Sequence, residues 1–453
     1  MNARENQTAS TPVRDLTLTY RDRARAFEDE IDPWRRGLIA TEVYRDRPDL
    51  PVVRKRAEIL ARCLEEIEPV VLPEERILGL TYRRLRVHGG VGSYDAWRIQ
   101  CMNPDRRGFS TQWPLPEDVA DTLRWWQNRP IDLNGANPLR RKNRWLARYG
   151  IAHPHGFVQG HTLPDHGILL ENGVDELRER IGKRLRKNPA AEQRTELLAM
   201  DRCLEGIAHH AVLCARKARQ TAETLDSPRL RDRLLTAAAD SEAVARDRPQ
   251  TFAQALQLLY YSNTADVHDN QGDAASFGRI DQLLYPFYRQ DHRNGTLDNQ
   301  EAFDLVCNFI VQKWACQTSN NMTVGGVTPQ GEDATNDVSC LFLQAMDRTD
   351  TVANLSVRLH PGTPEAFRRL TARVVRRGFG RPSLYNDAVT VEALCRKGVA
   401  IEDARDYAPL GCVEVMIPGR TPHRTMGMGL NHLKVLELVL NGGRCLVTGD
   451  RVW

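Results

Sequence analysis

Beyond residue 250 the chain stops reading as unbroken helix. Amphipathic segments begin to alternate with short apolar runs: NMTVGGVT (321–328), ANLSVRLH (353–360), RPSLYND (381–387) and LGCVEVMI (410–417). Helices inserted between apolar strands imply βαβ units, and hence an α/β fold built on a parallel sheet. Helical periodicity also marks 16–46, 52–67, 115–127, 173–187, 190–224 and 228–246, so residues 16–250 read as a mostly helical shell and 251–453 as the part that supplies strands. Segment 364–378 is amphipathic and ends before Gly380, and DAVTVEALCRKG closes on Gly398 as its C′ residue. Residues 74–112 are rich in turn formers and suit a pocket-lining wrap.

Composition narrows the function classes. With 41% hydrophobic and 27% charged residues the chain is globular rather than disordered or fibrous. A net charge of +4 is small on 453 residues, and runs such as DELRERIGKRLRKNPAAEQRTELL mix both signs, as solvated helix faces do; no nucleic-acid partner is expected. The opening MNARENQTASTPVRD lacks the apolar stretch of a signal peptide and is expected to be a disordered tail over 1–15. No window holds about 18 apolar residues, so a cytoplasmic protein without a membrane partner is expected. The ten cysteines include no CxxC pair, which points to reduced thiols. SNNMTVGGVTPQG is glycine-rich but matches neither GxxxxGK[ST] nor GxGxxG, so nucleotide binding is not expected.

The candidate chemistry lies in DYAPLGCVEVMIPGR (406–420). If LGCVEVMI is extended, Cys412 and Glu414 share a face with β-carbons about 7 Å apart, within reach of one small molecule. A buried glutamate without a partner costs several kcal/mol, so the carboxylate needs a reason to be there. A functional pair, and a structural cysteine beside a surface glutamate, both fit the residues. A neighbouring carboxylate disfavours thiolate, so a cysteine nucleophile is a poor fit. A thiol that carries a hydrogen atom needs no thiolate, and an adjacent carboxylate can move the accompanying proton. Radical chemistry therefore suits the pair better than ionic chemistry.

Around this pair, RPSLYNDAVTVEALCRKGVAIEDARDYAPLGCVEVMIPGRT resembles the glycyl radical enzymes related to pyruvate formate-lyase, in their branch of dehydratases, lyases and decarboxylases. The resemblance extends to SFGRIDQLLYPFYRQD (276–291), NMTVGGVTPQGEDATNDVS (321–339), NLSVRLHP (354–361) and QGHTLPDHGILLENG (159–173), in matching order. It implies a ten-stranded α/β barrel of two antiparallel half-barrels of parallel strands, with an extensive helical shell. This chain would supply the shell, the first half-barrel and the Cys loop, leaving the barrel partial and its strand edges exposed.

The resemblance also implies that Cys412 becomes a transient thiyl radical within a sheltered interior and that Glu414 is the general base. The radical would be installed by a radical S-adenosylmethionine activase on a C-terminal glycine loop, with no tightly bound cofactor, in an anaerobic homodimer. Neither LVLNGGRC nor LVTGDRVW matches that R-V-x-G-Y/F loop, so the chain is expected to be the N-terminal part of a longer protein and inactive alone. The small-molecule substrate would lose a C–O, C–N, C–S or C–C bond. Val413 stands where pyruvate formate-lyase has a second cysteine, which argues against acyl transfer. Asp273 and Ala274 replace a His-Ser pair found in some dehydratases, which speaks against glycerol or propanediol. Asp273 would contact an amino or ammonium group of the substrate or only bond its own turn, and His161 is the histidine expected at the substrate pocket.

Two other readings compete. IAHPHGFVQGHTLPDH clusters His153, His155, His161 and His166, as a metal-dependent hydrolase would, with His209, His210 and Asp387 as isolated further ligand candidates. A non-catalytic module would instead turn Cys412 and Glu414 away from any shared cavity.

Overall fold

A computed structural model describes residues 13–26, 35–80, 117–127, 144–154, 161–269, 274–315, 320–422 and 428–452. The periodic segments of the first half form α1 (Val13–Ala26), α2 (Arg35–Asp46), α3 (Val52–Glu66), α4 (Glu117–Gln127), α5 (Arg144–Arg148), α6 (His166–Arg186), α7 (Ala191–Glu223), α8 (Pro228–Val244) and α9 (Phe252–Asp269). Strand β1 (Ala152–Pro154) interrupts them and pairs antiparallel with a distant segment, 428–430. Helix α1 starts at Val13, inside the expected tail; residues 1–12 lie outside the described residues, as do 81–116 with most of the expected wrap.

Local chemistry explains the shell. Helices α3 and α7 cross at Gly206, where a β-carbon would stand 2.7 Å from the Ala61 α-carbon, so only hydrogen fits. Helix α8 begins on Ser227, whose hydroxyl accepts from the Leu230 N–H, with Pro228 at the first helical position. Helix α9 buries Phe252, Leu256, Leu259, Tyr260 and Tyr261 on several sides, as a helix must when it lies inside a core. Among the described residues Cys63, Cys214 and Cys307 are buried free thiols, and no helix is long and apolar enough to cross a membrane.

The second half builds the sheet. Strands β2 (Gly278–Arg279), β3 (Met322–Gly325), β4 (Leu355–Leu359) and β5 (Ser383–Asn386) pair in parallel and in chain order. Their crossovers are α10 (Ile280–Asn294) with α11 (Asn299–Ala315), then α12 (Asp337–Thr349), then α13 (Glu365–Val375), since parallel neighbours cannot be joined by a tight turn. Met322, Val324, Leu355 and Val357 enter the main apolar core with Phe309, Phe342 and Phe367. Thr323, Ser356 and Ser383 lie side by side in register and, by alternation, occupy the opposite face.

After β5 come α14 (Asp387–Arg396), capped by the Asn386 side chain and followed by Gly398 at φ +88°, and α15 (Ile401–Arg405). The segment LGCVEVMI departs from expectation. It is not one strand: Gly411, at φ +56°, turns the chain, and β6 (Ala408–Leu410) pairs antiparallel with β7 (Glu414–Met416), Leu410 facing Glu414. Period-two alternation therefore does not set the Cys412–Glu414 relation; a turn over 411–413 does. Strand β8 (Met428–Leu430) and α16 (His432–Leu440) follow.

Candidate active site

The thiol-bearing turn is rooted in a buried ion pair. Arg358 on β4 is fully buried, and its Nε and Nη2 donate to Asp387 Oδ1 and Oδ2 at 2.9 and 2.8 Å. Nη1 also donates to Tyr407 O at 2.7 Å, Nη2 to Arg405 O at 2.8 Å, and the Tyr407 hydroxyl to Asp387 Oδ1 at 2.8 Å. Bidentate geometry plus backbone acceptors offset the several kcal/mol of desolvation that such a charge incurs. The clamp fixes residues 405–407 beside Arg358, toward the C-terminal end of β4.

From there the chain crosses the polar face of the sheet to its other end. The Gly411 N–H donates to Ser276 Oγ at 3.0 Å, and its carbonyl accepts from Asn354 Nδ2 at 2.7 Å and Asn321 Nδ2 at 3.2 Å. Asn321 and Asn354 immediately precede β3 and β4, and Ser276 comes just before β2. Ser276 is itself held by His166, which sits 3.2 Å from its carbonyl through Nε2 and 2.9 Å from Ser262 Oγ through Nδ1. Burial pushes His166 down to about 4, so at neutral pH the ring is uncharged, Nε2–H donating and Nδ1 accepting.

Glycine is required at the turn for two reasons. The backbone is left-handed, and a β-carbon on Gly411 would stand 2.7 Å from His161 Nδ1. The imidazole packed there lies 3.1 Å from Glu414 Oε1, while Glu414 Oε2 accepts from the Val413 N–H at 3.1 Å. Glu414 Oε2 is thus hydrogen-bonded and Oε1 lies beside the imidazole, while the Glu414 side chain remains 17% exposed. His161 is placed by its neighbour: Thr162 N–H donates to Ala274 O at 2.8 Å, the Ser276 N–H donates back to Thr162 O at 3.0 Å, and the Thr162 hydroxyl donates to Asp266. Burial raises Asp266 to about 7 against the opposing effect of that hydroxyl.

Of the expected site residues, the structure brings Glu414 and His161 into contact and sets Cys412 at the turn two residues before Glu414. Asp273 lies outside the described residues. Among the described residues Cys412 is exposed and Val413 is 63% exposed, and the described parallel sheet comprises the four strands β2–β5. Tyr385 on β5 belongs to the same neighbourhood. Burial raises its phenol, Arg381 opposes the rise, and its neighbours Glu414 and Cys412 add to it.

Among the described residues the histidine candidates do not converge. His161 meets Glu414, His166 meets Ser262 and Ser276, His210 Nδ1 lies 3.2 Å from Leu64 O, and Asp387 is spent on Arg358. His155 and the His153 side chain lie outside the described residues, and no group of three or more potential metal ligands occurs among the described ones.

Reading the sequence for chemistry alone passes over Ser276, Asn321, Asn354 and Tyr385. A signal existed for two of them: Asn321-Met322-Thr323-Val324 and Asn354-Leu355-Ser356-Val357 repeat one pattern, with an amide before the strand and a hydroxyl on its polar face.

The fold matches that of a glycyl radical enzyme from Archaeoglobus fulgidus (TM-score 0.80, 24% identity, 95% of this chain and 59% of that one). It also matches the glycerol-bound form of the B12-independent glycerol dehydratase from Clostridium butyricum (TM-score 0.84, 23% identity, 97% and 59%). The architecture is thus that of the matched part of the glycyl radical α/β barrel, with its helical shell. The chain belongs to the pyruvate formate lyase-like family, whose model matches residues 6–453. It is 28% identical over 460 residues to the (2S)-3-sulfopropanediol dehydratase of Klebsiella oxytoca, covering 93% of this chain and 55% of that relative. The chain thus spans a little over half the length of the relatives it matches.

Proposed function

We propose that this chain carries the thiol site of a glycyl radical dehydratase or lyase that cleaves a C–O, C–N, C–S or C–C bond of a small polar substrate. The observation that supports the reading most is the tether of Gly411: three side chains hold its peptide group, so that Cys412 stands at a fixed turn beside Glu414 and His161. A glycyl radical, installed by a radical S-adenosylmethionine activase, would supply the one-electron oxidation of the thiol, the S–H hydrogen atom passing to the glycine α-carbon.

Cys412 Sγ then takes a hydrogen atom from a substrate C–H, leaving a carbon radical. Glu414 accepts the proton of a hydroxyl on that carbon, and the neighbouring bond breaks with its electron pair leaving on the departing group, which takes that proton from Glu414 when it departs as hydroxide. Cys412 S–H returns the hydrogen atom to the product radical. His161 orients the Glu414 carboxylate and lines the pocket, and Asp273 contacts the substrate's polar end. The name of the sulfopropanediol dehydratase favours water as the leaving group. A single pyruvate formate-lyase-like domain over 16–453, an anaerobic cytoplasmic setting and a homodimer belong to the same reading.

The test is anaerobic turnover of the complete protein with its activase on a panel of hydroxy, amino and aryl-acetate compounds. Cys412→Ala is expected to abolish turnover, and Glu414→Gln to lower kcat by at least about a hundredfold. Activity retained by Cys412→Ala would remove the thiol from the chemistry.

A further inference from the structure

The polar face of the sheet carries more hydrogen-bonding capacity than it uses. Thr323 Oγ1, Ser356 Oγ, Tyr385 OH and Asn321 Oδ1 are all buried without a hydrogen-bond partner among the described residues, on residues that, Tyr385 apart, are 0% exposed. Ser356 and Tyr385 lie close enough to influence each other without completing a bond. Buried hydroxyls are normally matched, and each one left unmatched costs about 1–3 kcal/mol. Several on one face, next to the thiol turn, are therefore held for something that is not protein. Asn321 ties them to the turn directly, since its Nδ2 holds the Gly411 carbonyl while its Oδ1 stays unmatched.

A charge completes the picture. Arg381, just before β5, donates through Nη1 to Ser383 Oγ, on the face that also presents Ser356. Among the described residues the guanidinium meets no carboxylate, unlike Arg279 and Arg358, which pair with Asp406 and Asp387. It is only half-buried, and its field reaches Tyr385, which also senses Glu414 and Cys412. The carboxylate that acts on Tyr385 is Glu414, so a positive charge here offsets the repulsion an anionic guest would meet.

We propose that Thr323, Ser356, Tyr385 and Arg381 form the subsite that binds an anionic group of the substrate, a sulfonate or carboxylate, and that Asn321 Oδ1 accepts from a substrate hydroxyl, so that the substrate is a small hydroxylated anion. This deepens the reading of Cys412 and Glu414 as the reacting pair and rests on it. The hydroxyls donate to the anion's oxygens, Arg381 supplies the planar donor pair that suits them, and the hydroxylated end faces the thiol turn.

Binding separates this inference from the chemistry, because it needs no radical. The complete protein, without activation, is titrated calorimetrically with isethionate for the sulfonate arm, lactate for the carboxylate arm and propane-1,2-diol as the neutral control. At least one anion is expected to bind about tenfold or more tighter than the diol, the tighter one identifying the anionic group. Arg381→Gln is expected to erase that preference, Arg381→Lys to keep part of it, and Thr323→Val to weaken the anion about tenfold while thermal melting shows an intact fold. Cys412→Ala is expected to bind the probes as the parent does, so loss of turnover in that variant bears on the chemistry alone. Equal binding of anions and diol, no binding of either anion, or a preference unmoved by Arg381→Gln overturns the proposal.

Discussion

On the helix-facing side of the parallel sheet, Met322, Val324, Leu355 and Val357 are sealed into the main apolar core; on the other side Thr323 and Ser356 are just as sealed yet leave their hydroxyls unmatched among the described residues. The residues alternate along the same strands and have the same access to water. What differs is purpose. One face lowers the free energy of the fold by removing hydrocarbon from water, and the other gives some of that up to keep donors and acceptors in waiting. Where the polar face does contribute to stability, it does so through a complete network such as Arg358, Asp387 and Tyr407.

Breaking that network should give the largest effect. Asp387→Ala leaves the Arg358 guanidinium buried and unpaired and should cost about 3–5 kcal/mol in urea unfolding, whereas Arg358→Met combined with Asp387→Leu should cost far less. A loss in the double variant as large as in the single one would mean the network matters for shape rather than charge.

Acid probes the support behind the turn. His166 titrates near 4 in the folded protein and near 6.5 when unfolded. The unfolded chain therefore takes up the proton first, and His166's contribution, complete above pH 6.5, is lost as pH falls toward 4. At 1.36 kcal/mol per unit the full span is about 3 kcal/mol. Asp266 works in the opposite sense: raised to about 7, its contribution is complete below pH 3.8 and is lost as pH rises toward 7. Unfolding curves collected between pH 7 and 4 should show His166→Gln less acid-sensitive than the parent, and equal slopes would contradict the burial argument.

The smallest effect tests the contrast itself. Val357→Ala should cost about 2–3 kcal/mol through the cavity it leaves, while Ser356→Ala, one residue away, should be neutral or stabilising by up to about 1 kcal/mol. Comparable losses at both positions would show that the Ser356 hydroxyl is matched in solution.

Much of the fold was legible because it follows from short-range pattern. The helix-then-strand alternation beyond residue 250 gave β3, β4 and β5, and Gly398 marked the end of α14 as its position suggested. The thiol turn was not legible from period-two alternation, since a glycine in a left-handed conformation reverses the chain where an extended strand was expected. The groups that hold the turn were hidden for another reason. Ser276 and Asn354 lie 135 and 57 residues from Gly411, and nothing local to 410–417 encodes them. The contact of His161 with Glu414 is of the same long-range kind.

The three tethers grip Gly411 by its peptide N–H and C=O, atoms that every residue type shares. Because the grip ignores side-chain identity along the surrounding walls, those walls are at liberty to diverge while the sulfur stays put. On the reading proposed above, wall residues such as Thr323 or Arg381 can change, and substrate range with them, with no need to reinvent the reactive centre each time.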